Sequence, residues 1–387
     1  MECRVCGVAI ESPLFAAGRK VSLTSMCTEE QQDTIVYGCG SCGHLQTPPM
    51  GDLTSYYATE YKVSAETPEE DQLYKMVDGQ PVYRSPFQAD TLLAKVDIPS
   101  GARVLDFGAA KGMTPKFVVG ERPDLAMHLY DVTDQYRYSW DFIPPENAAT
   151  HVIPEEWFGS FDVVTSFYVL EHVEDPRIYV GQAAQLLRKG GTFYFVVPNV
   201  ANHTSDFIVV DHVNHFTEAS IRHLLNAGGF EVDYVDDVTH EGAWIAVCRA
   251  AGPARDSVDD PEPLVRKALD DGEHLARRWR GIYDRLQQFS TVATAKQIAI
   301  YGSSFWGTLI AVNLDDRSNL RQFLDQNPHF HGRNYLDVPI APPSELAADV
   351  TDVLVGLDPS RARDIIAGVD VLRDRNITFH YLEGDQS

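Results

Sequence analysis

Residues 104–112 read Val-Leu-Asp-Phe-Gly-Ala-Ala-Lys-Gly: an apolar run ends in a glycine-bearing turn and leads into a helical pattern from about Met113. That order suits a strand, a tight loop and a helix in succession. Glycines at such a turn let the backbone approach a ligand, and Asp106 can accept hydrogen bonds from its amino or hydroxyl groups. Asp131 follows 25 residues later, at the end of the next expected strand, where a carboxylate can take both hydroxyls of a ribose. A packing turn plus a solvated acid is the structural alternative, and the pairing of loop with second acid favours a nucleotide-type ligand.

Around this loop, short apolar runs at 102–105, 126–130, 161–166, 192–197 and 244–248 alternate with helical patterns. The alternation predicts an α/β sheet covered on both faces, over 71–250. The proline-rich and acidic stretch 251–263 reads as a linker. Beyond it, Leu275, Trp279, Ile282, Leu286 and Phe289 repeat at helical spacing, and 297–301, 320–324 and 353–357 read as strands. A second, smaller Rossmann-like α/β domain over 264–387 is therefore expected. Its own loop, 302–307, carries Phe305 and Trp306, which would crowd a pyrophosphate, so a structural turn or an aromatic platform is the better reading. Arg277, Arg278, Arg280 and Arg285 form either a solvated helix face or a basic patch for a diphosphate, for which Lys62 and Arg84 are further candidates.

Residues 1–70 are rich in cysteine, glycine and tyrosine and read as a small module that needs a staple. Cys3-x2-Cys6 and Cys39-x2-Cys42 are separated by 32 residues, and each pair is followed by glycine. Two such loops can close a four-thiolate cage around structural Zn2+, with Cys27 or His44 as possible replacements for one ligand. A redox CxxC would normally open a helix in a thioredoxin-like setting, which is missing here. The charge balance, 32 basic against 56 acidic residues, leaves −24. Such a field disfavours nucleic acid and anionic membranes as partners. Without an export signal or a membrane-length apolar run, a cytoplasmic location is expected.

The glycine loop, Phe161-Asp162-Val163-Val164, Leu170-Glu171-His172-Val173, Leu187-Arg188-Lys189-Gly190-Gly191 and Val197-Pro198-Asn199 together resemble the class I S-adenosylmethionine (SAM) methyltransferases. The resemblance implies that Asp106, Gly108 and Gly112 line the methionine end of SAM, that Asp131 holds its ribose and that Tyr168 lies near the sulfonium. Ala110 stands where many members have glycine. Glu171 and His172 read as residues that fix a turn.

Asp211-His212-Val213-Asn214-His215-Phe216 is loop material at the mouth of the sheet, where a histidine suits removal of a proton beside a carbonyl. The whole layout resembles the nucleotide-sugar C-methyltransferases of deoxysugar biosynthesis, whose further marks here include Tyr56-Tyr57-Ala58-Thr59-Glu60-Tyr61, Asp325-Gln326-Asn327-Pro328 and Gly332-Arg333. That resemblance implies C-methylation of a keto-sugar nucleotide through an enolate, with His212 as base and Asp211 as the acid beside it. Val209 occupies the place of the family's tyrosine. Tyr57 is the candidate hydrogen-bond donor to substrate, with interface packing as its alternative. His215 as base, a structural role for both histidines, O- or N-methylation of another small metabolite, and a catalytically silent nucleotide-binding protein remain the competing readings.

Overall fold

The computed structural model describes residues 1–51, 56, 71–252, 261–373 and 375–383. They form two compact units: Met1–Leu14, Val36–Phe207 and Asp211–Gly272 in the first, Phe15–Ile35, Ile208–Val210 and Glu273–Ser387 in the second. The segment 1–70 is thus divided between them. Within the second unit, Tyr335 donates its hydroxyl to the Cys27 carbonyl at 2.5 Å, Arg317 pairs with Glu29 at 2.9 Å, and Leu23 bridges to Val209.

The first unit is built on seven strands: β1 (Arg103–Phe107), β2 (Ala126–Asp131), β3 (Ala148–Thr150), β4 (Phe161–Phe167), β5 (Leu187–Pro198), β6 (Phe230–Asp236) and β7 (Ala243–Ala250). Their order across the sheet is β3-β2-β1-β4-β5-β7-β6. Neighbours are parallel from β3 to β5, and β7 runs antiparallel to both β5 and β6. The strand order reverses beside β1, so its glycine loop opens at the topological switch point where α/β sheets bind ligands.

Alternation along the strands assigns each face its helices. Phe193, Phe195 and Val197 of β5 point to one side, packing with Val180 and Leu186 of α3 (Pro176–Leu186) and with Ile221 and Leu224 of α4 (Glu218–Ala227). Tyr194 and Val196 point to the other, with Leu92 of α1 (Arg84–Lys95) and Val118 of α2 (Met113–Glu121). Burying each large apolar side chain contributes about 1.5–3 kcal/mol. Two helix starts are explicit in sequence: Asp175 caps α3 ahead of Pro176, and Thr217 forms a capping box with Ser220 at α4. Strands β3 and β6 were not apparent in the apolar pattern. The first has three residues, and the second, Phe-Glu-Val-Asp-Tyr-Val-Asp, places acids between its apolar positions.

At the N-terminus two loops of the same design face one another. Cys3 N–H donates to the Val8 carbonyl and Gly7 N–H to that of Cys3; Cys39 N–H donates to His44 and Gly43 N–H to Cys39. Gly7 and Gly43 take φ of 76° and 70°, the left-handed conformation that lets each loop turn back on its cysteine pair. Leu45–Gln46 then pairs antiparallel with Asn214–His215, so the loop that carries the histidines is a strand neighbour of the cysteine module.

The second unit carries β8 (Ile298–Tyr301), β9 (Leu320–Leu324), β10 (Asn334–Tyr335), β11 (Val338–Ala341), β12 (Asp352–Val355) and β13 (Thr378–Tyr381), ordered β10-β11-β9-β8-β12-β13. All pairings are parallel except β10 with β11. Helix α5 (Glu262–Ala295) begins inside the stretch read as a linker, and within the second unit its apolar stripe is buried, with Trp279 stacked on Trp306 at 5.4 Å between ring centres. Two of its arginines serve structure: Arg278 binds Glu383 and Arg285 donates to the Tyr381 carbonyl. Among the described residues no helix is long and apolar enough to cross a membrane.

The loop after β8 repeats the tether of the loop after β1. Gly302 N–H donates to Leu324 and the Ser303 N–H to Asp325, as Gly108 N–H donates to Tyr130 and Ala110 N–H to Asp131. In the second unit the glycines pack backbone against backbone. A Cβ on Gly307 would lie 1.9 Å from the Gly302 carbonyl oxygen. Gly307→Ala is expected to destabilise the second unit by about 3 kcal/mol or more, read as an earlier transition in urea unfolding followed by hydrogen exchange in β8 and β12.

Candidate functional site

The loop after β1 is shaped by backbone geometry and two acids. Gly108 takes φ of 89°, and a Cβ there would meet Val169 at 2.6 Å, so the turn passes flush against the end of β4. Ala110 also has positive φ, 44°, a conformation glycine adopts without strain, which accounts physically for glycine's use there. The loop is braced from outside: Trp140 Nε1 donates to the Ala110 carbonyl at 2.7 Å and the Ser139 hydroxyl to that of Lys111 at 2.9 Å. Gly112, at φ 67°, starts α2.

Asp106 ends up buried, with one carboxylate oxygen accepting the Thr165 hydroxyl at 2.7 Å. Burial pushes its carboxyl up to about 7, against the Thr165 bond and with help from the Asp131 charge. A cationic ligand group beside it would offset that burial, which suits the ammonium or sulfonium of SAM. Asp131 is buried at the end of β2, where its oxygens accept from Ala110 N–H at 2.8 Å and Thr133 N–H at 3.1 Å. The carboxylate retains acceptor capacity for a ribose hydroxyl. Burial raises this carboxyl as well.

Tyr168 lies just past β4 with φ of 56°, a strained backbone for an aromatic residue. Its hydroxyl is 3.3 Å from His240 Nε2, and the Arg84 guanidinium sits 3.8 Å over its ring. Tyr74 and Phe87 stack at 4.5 Å beside the same His240. Arg84, one of the basic residues expected to meet a diphosphate, is thus placed over an aromatic ring, while His240 lies far from it in sequence and no motif marks it. Tyr74 also borders a cavity of about 610 Å³ with Lys75, Asn202, Thr239 and Glu241, a polar recess past the ends of β5 and β6.

The histidine loop is organised around a residue that spacing did not single out. Asp206, buried in the 3-10 turn Thr204–Ile208, places one oxygen on His212 Nδ1 and the other on His215 Nδ1 at 3.1 Å. Burial alone would raise its carboxyl, but the charge of His212 and the bonds from both imidazoles hold it well below the usual range. Burial lowers His212, and the facing carboxylate of Asp206, with Asp211 and Glu171, outweighs this and brings it up to about 9. Asp206, rather than the adjacent Asp211, is therefore the acid bonded to the His212 ring. The Asp211 main-chain carbonyl instead lies 3.3 Å from His172 Nδ1.

His215 Nε2 is 2.9 Å from the Thr47 hydroxyl, and Asn214 is bound by His44 and by the carbonyls of Leu170 and Val173. Glu171 and His172 stand in the turn Leu170–His172, with the His172 ring 4.6 Å from that of His212. Glu171 Oε2 is buried without a hydrogen-bond partner among the described residues, and burial pushes this carboxyl up to about 8. Tyr57 lies outside the described residues, as do Tyr61 and Lys62.

In the cysteine module the four Sγ atoms of Cys3, Cys6, Cys39 and Cys42 lie within 4.8 Å of one another, with Cys3 to Cys42 and Cys6 to Cys39 both at 3.5 Å. A tetrahedral zinc with bonds of about 2.3 Å separates its sulfurs by about 3.8 Å, so the set fits the ion. Cys27 and His44 are not part of this group. Purified protein is expected to hold one zinc per chain, released on Cys39→Ser substitution with a lower thermal midpoint, as read by metal analysis and calorimetry.

The raised Asp106 carboxyl sets a second expectation. Its folded value near 7 exceeds the unfolded value of 3.8, so stability falls as pH rises from about 4 to 7. At pH 8, Asp106→Asn should stabilise the ligand-free protein by on the order of 2–4 kcal/mol while weakening SAM binding, measured by thermal melts and calorimetry on the same samples.

Residues 84–235 match the family model described as methyltransferase domain. The ubiquinone biosynthesis O-methyltransferase of Xanthomonas campestris pv. campestris (strain B100) is 32% identical over 121 residues, 30% of this chain and 50% of that protein. The protein of the same name from Burkholderia vietnamiensis is 32% identical over 106 residues, 26% of this chain and 46% of that protein. The chain spans about half the length of the curated relatives it matches. Similar solved structures include a SAM-dependent methyltransferase from Mesorhizobium loti, 15% identical with a TM-score of 0.35, over 42% of this chain and 97% of that one. Another is CalO1, a methyltransferase in calicheamicin biosynthesis, 20% identical with a TM-score of 0.36, over 43% and 54% of the two chains. The sheet order, the glycine loop with its two acids and the matched domain lead to one conclusion: residues 84–235 carry the class I fold of SAM-dependent methyltransferases.

Proposed function

We propose that this protein is a SAM-dependent methyltransferase that methylates a carbon beside a carbonyl, on a keto-sugar linked to a nucleotide, with His212 as the base. The observation that carries this reading is the bond from His212 to a buried carboxylate, in a loop at the mouth of a methyltransferase fold. Heteroatom acceptors present a lone pair directly, whereas a carbon acceptor must first lose a proton, and an imidazole oriented by a carboxylate is suited to that step. His212 takes the proton and the electron pair moves into the enolate, whose carbon would bond to the SAM methyl group as the methyl–sulfur bond breaks and S-adenosylhomocysteine leaves. In the first unit Asp106, Gly108, Gly112 and Asp131 hold the methyl donor, and Glu171 is a buried acid near the base. The cysteine set, with its zinc, maintains the fold of the module beside the histidine loop and takes no part in the chemistry.

A second reading, O-methylation of a small metabolite, is favoured by the similarity to proteins named O-methyltransferases. The two differ in the position of the new methyl group. With methyl-labelled SAM and a panel of keto-sugar nucleotides, NMR should place the label on carbon next to the carbonyl, and the same proton should exchange with D2O before SAM is added. His212→Ala should slow both by about 100-fold or more while SAM binding is retained. A label on oxygen, or turnover of no keto-sugar, overturns the C-methylation reading; absence of SAM binding in calorimetry would favour a silent nucleotide-binding protein. Because His212 has to be neutral to accept a proton, the rate should rise with pH toward about 9.

A further inference from the structure

A continuous buried line of hydrogen bonds runs from the cysteine module to the histidine loop. Thr47 follows directly on Leu45–Gln46, the strand that leaves the second cysteine pair and pairs with Asn214–His215. Its hydroxyl is 2.9 Å from His215 Nε2; His215 Nδ1 is 3.1 Å from Asp206 Oδ2; Asp206 Oδ1 meets His212 Nδ1. Side-chain exposure is 0% for His215, 1% for Asp206 and 12% for His212, so only the last ring is open to solvent. A second tie parallels this line: Arg4, beside Cys3, donates to the carbonyls of both Thr47 and Val213 at 2.9 and 2.8 Å.

We propose that Asp206 is the positioning residue of His212, and that His215 and Thr47 lock Asp206 in place, so that the cysteine module sets the orientation of the base. The inference rests on the reading of His212 as base and extends it to residues that touch neither substrate nor SAM. Donating Nδ1–H to Asp206 fixes one tautomer of the His212 ring and leaves Nε2 with the lone pair that takes a proton. One carboxylate shared by two imidazoles holds its plane from both oxygens. A carboxylate held only by His212 would rotate with the ring. Four other groups face the His212 ring or its bond: Asp211 beside it in the chain, Glu171 and His172 from the turn after β4, and His215 across Asp206. Their presence makes the contribution of Asp206 a difference to be measured against unchanged neighbours.

The test is a histidine titration by NMR on the full chain with labelled histidine, read without substrate, with His212 identified by its loss in His212→Gln. Asp206→Asn should lower the His212 midpoint by more than about one unit and kcat by about 100-fold or more, with the KM for SAM unchanged. Thr47→Val, which retains the shape of the side chain, should lower kcat by about 3- to 10-fold and shift the midpoint in the same direction, and Thr47→Ser should restore both. A midpoint that stays in place in both folded variants overturns the proposal. So does a second metal ion per chain that disappears with His212→Gln, since a cation on the ring leaves no lone pair for a proton. The titration needs no turnover, so failure to methylate any carbonyl substrate would remove the C-methylation reading and leave this test decisive.

Discussion

The candidate site depends on a single buried carboxylate. Asp206 sits in a loop between a strand and a helix, at 1% side-chain exposure, and its negative charge is compensated by two imidazoles from the same loop. A carboxylate in that environment without partners would cost several kcal/mol and would take up a proton instead. The loop is therefore held in the one arrangement that brings His212 and His215 to the two oxygens. Asn214, between them, is bound to carbonyls of the turn after β4, which ties the same loop to the sheet.

Around this centre the two kinds of anchoring are complementary. The sheet supplies one side: Asp106 is the next-to-last residue of β1 and Asp131 the last of β2, and close packing of Gly108 on Val169 joins the glycine loop to the end of β4. The cysteine module supplies the other side, through strand pairing and the Thr47 hydroxyl. Small modules with few apolar residues are poor rigid supports by themselves, and a metal ion held by the four thiolates would compensate for that. The second cysteine loop leads within a few residues to the strand that borders the histidines.

Much of the fold was legible in the residues. The loop at 104–112, the acid at 131, the apolar runs of β4, β5 and β7 and the stripe on α5 all follow from local patterning, because burial on a sheet or a helix face imposes periods of 2 and 3.6. Strands β3 and β6 were not legible, since one is too short to show a period and the other carries acids between its apolar positions. The interweaving of the compact units also escaped the sequence. Residues 15–35 lack a run long enough to reveal which core they join, and the bonds that place them in the second unit, from Tyr335 to Cys27 and from Arg317 to Glu29, come from residues about 300 positions away.

Sequence by itself determined the chemistry that is available: cysteine pairs spaced for a metal, a glycine loop with two acids for a charged nucleoside, and histidines in a loop at the mouth of the sheet. Residue type and short spacing carry those properties, because each depends on atoms within a turn or two of the chain. Tertiary structure alone decided how the groups are coupled. It chose Asp206 over the adjacent Asp211 as the partner of His212, buried Glu171 without a hydrogen-bond partner among the described residues, and set Arg84 over Tyr168. The reason is physical. Burial and partner geometry arise only when distant segments pack, and they set which carboxylate is charged, which is protonated and which imidazole nitrogen is left to react.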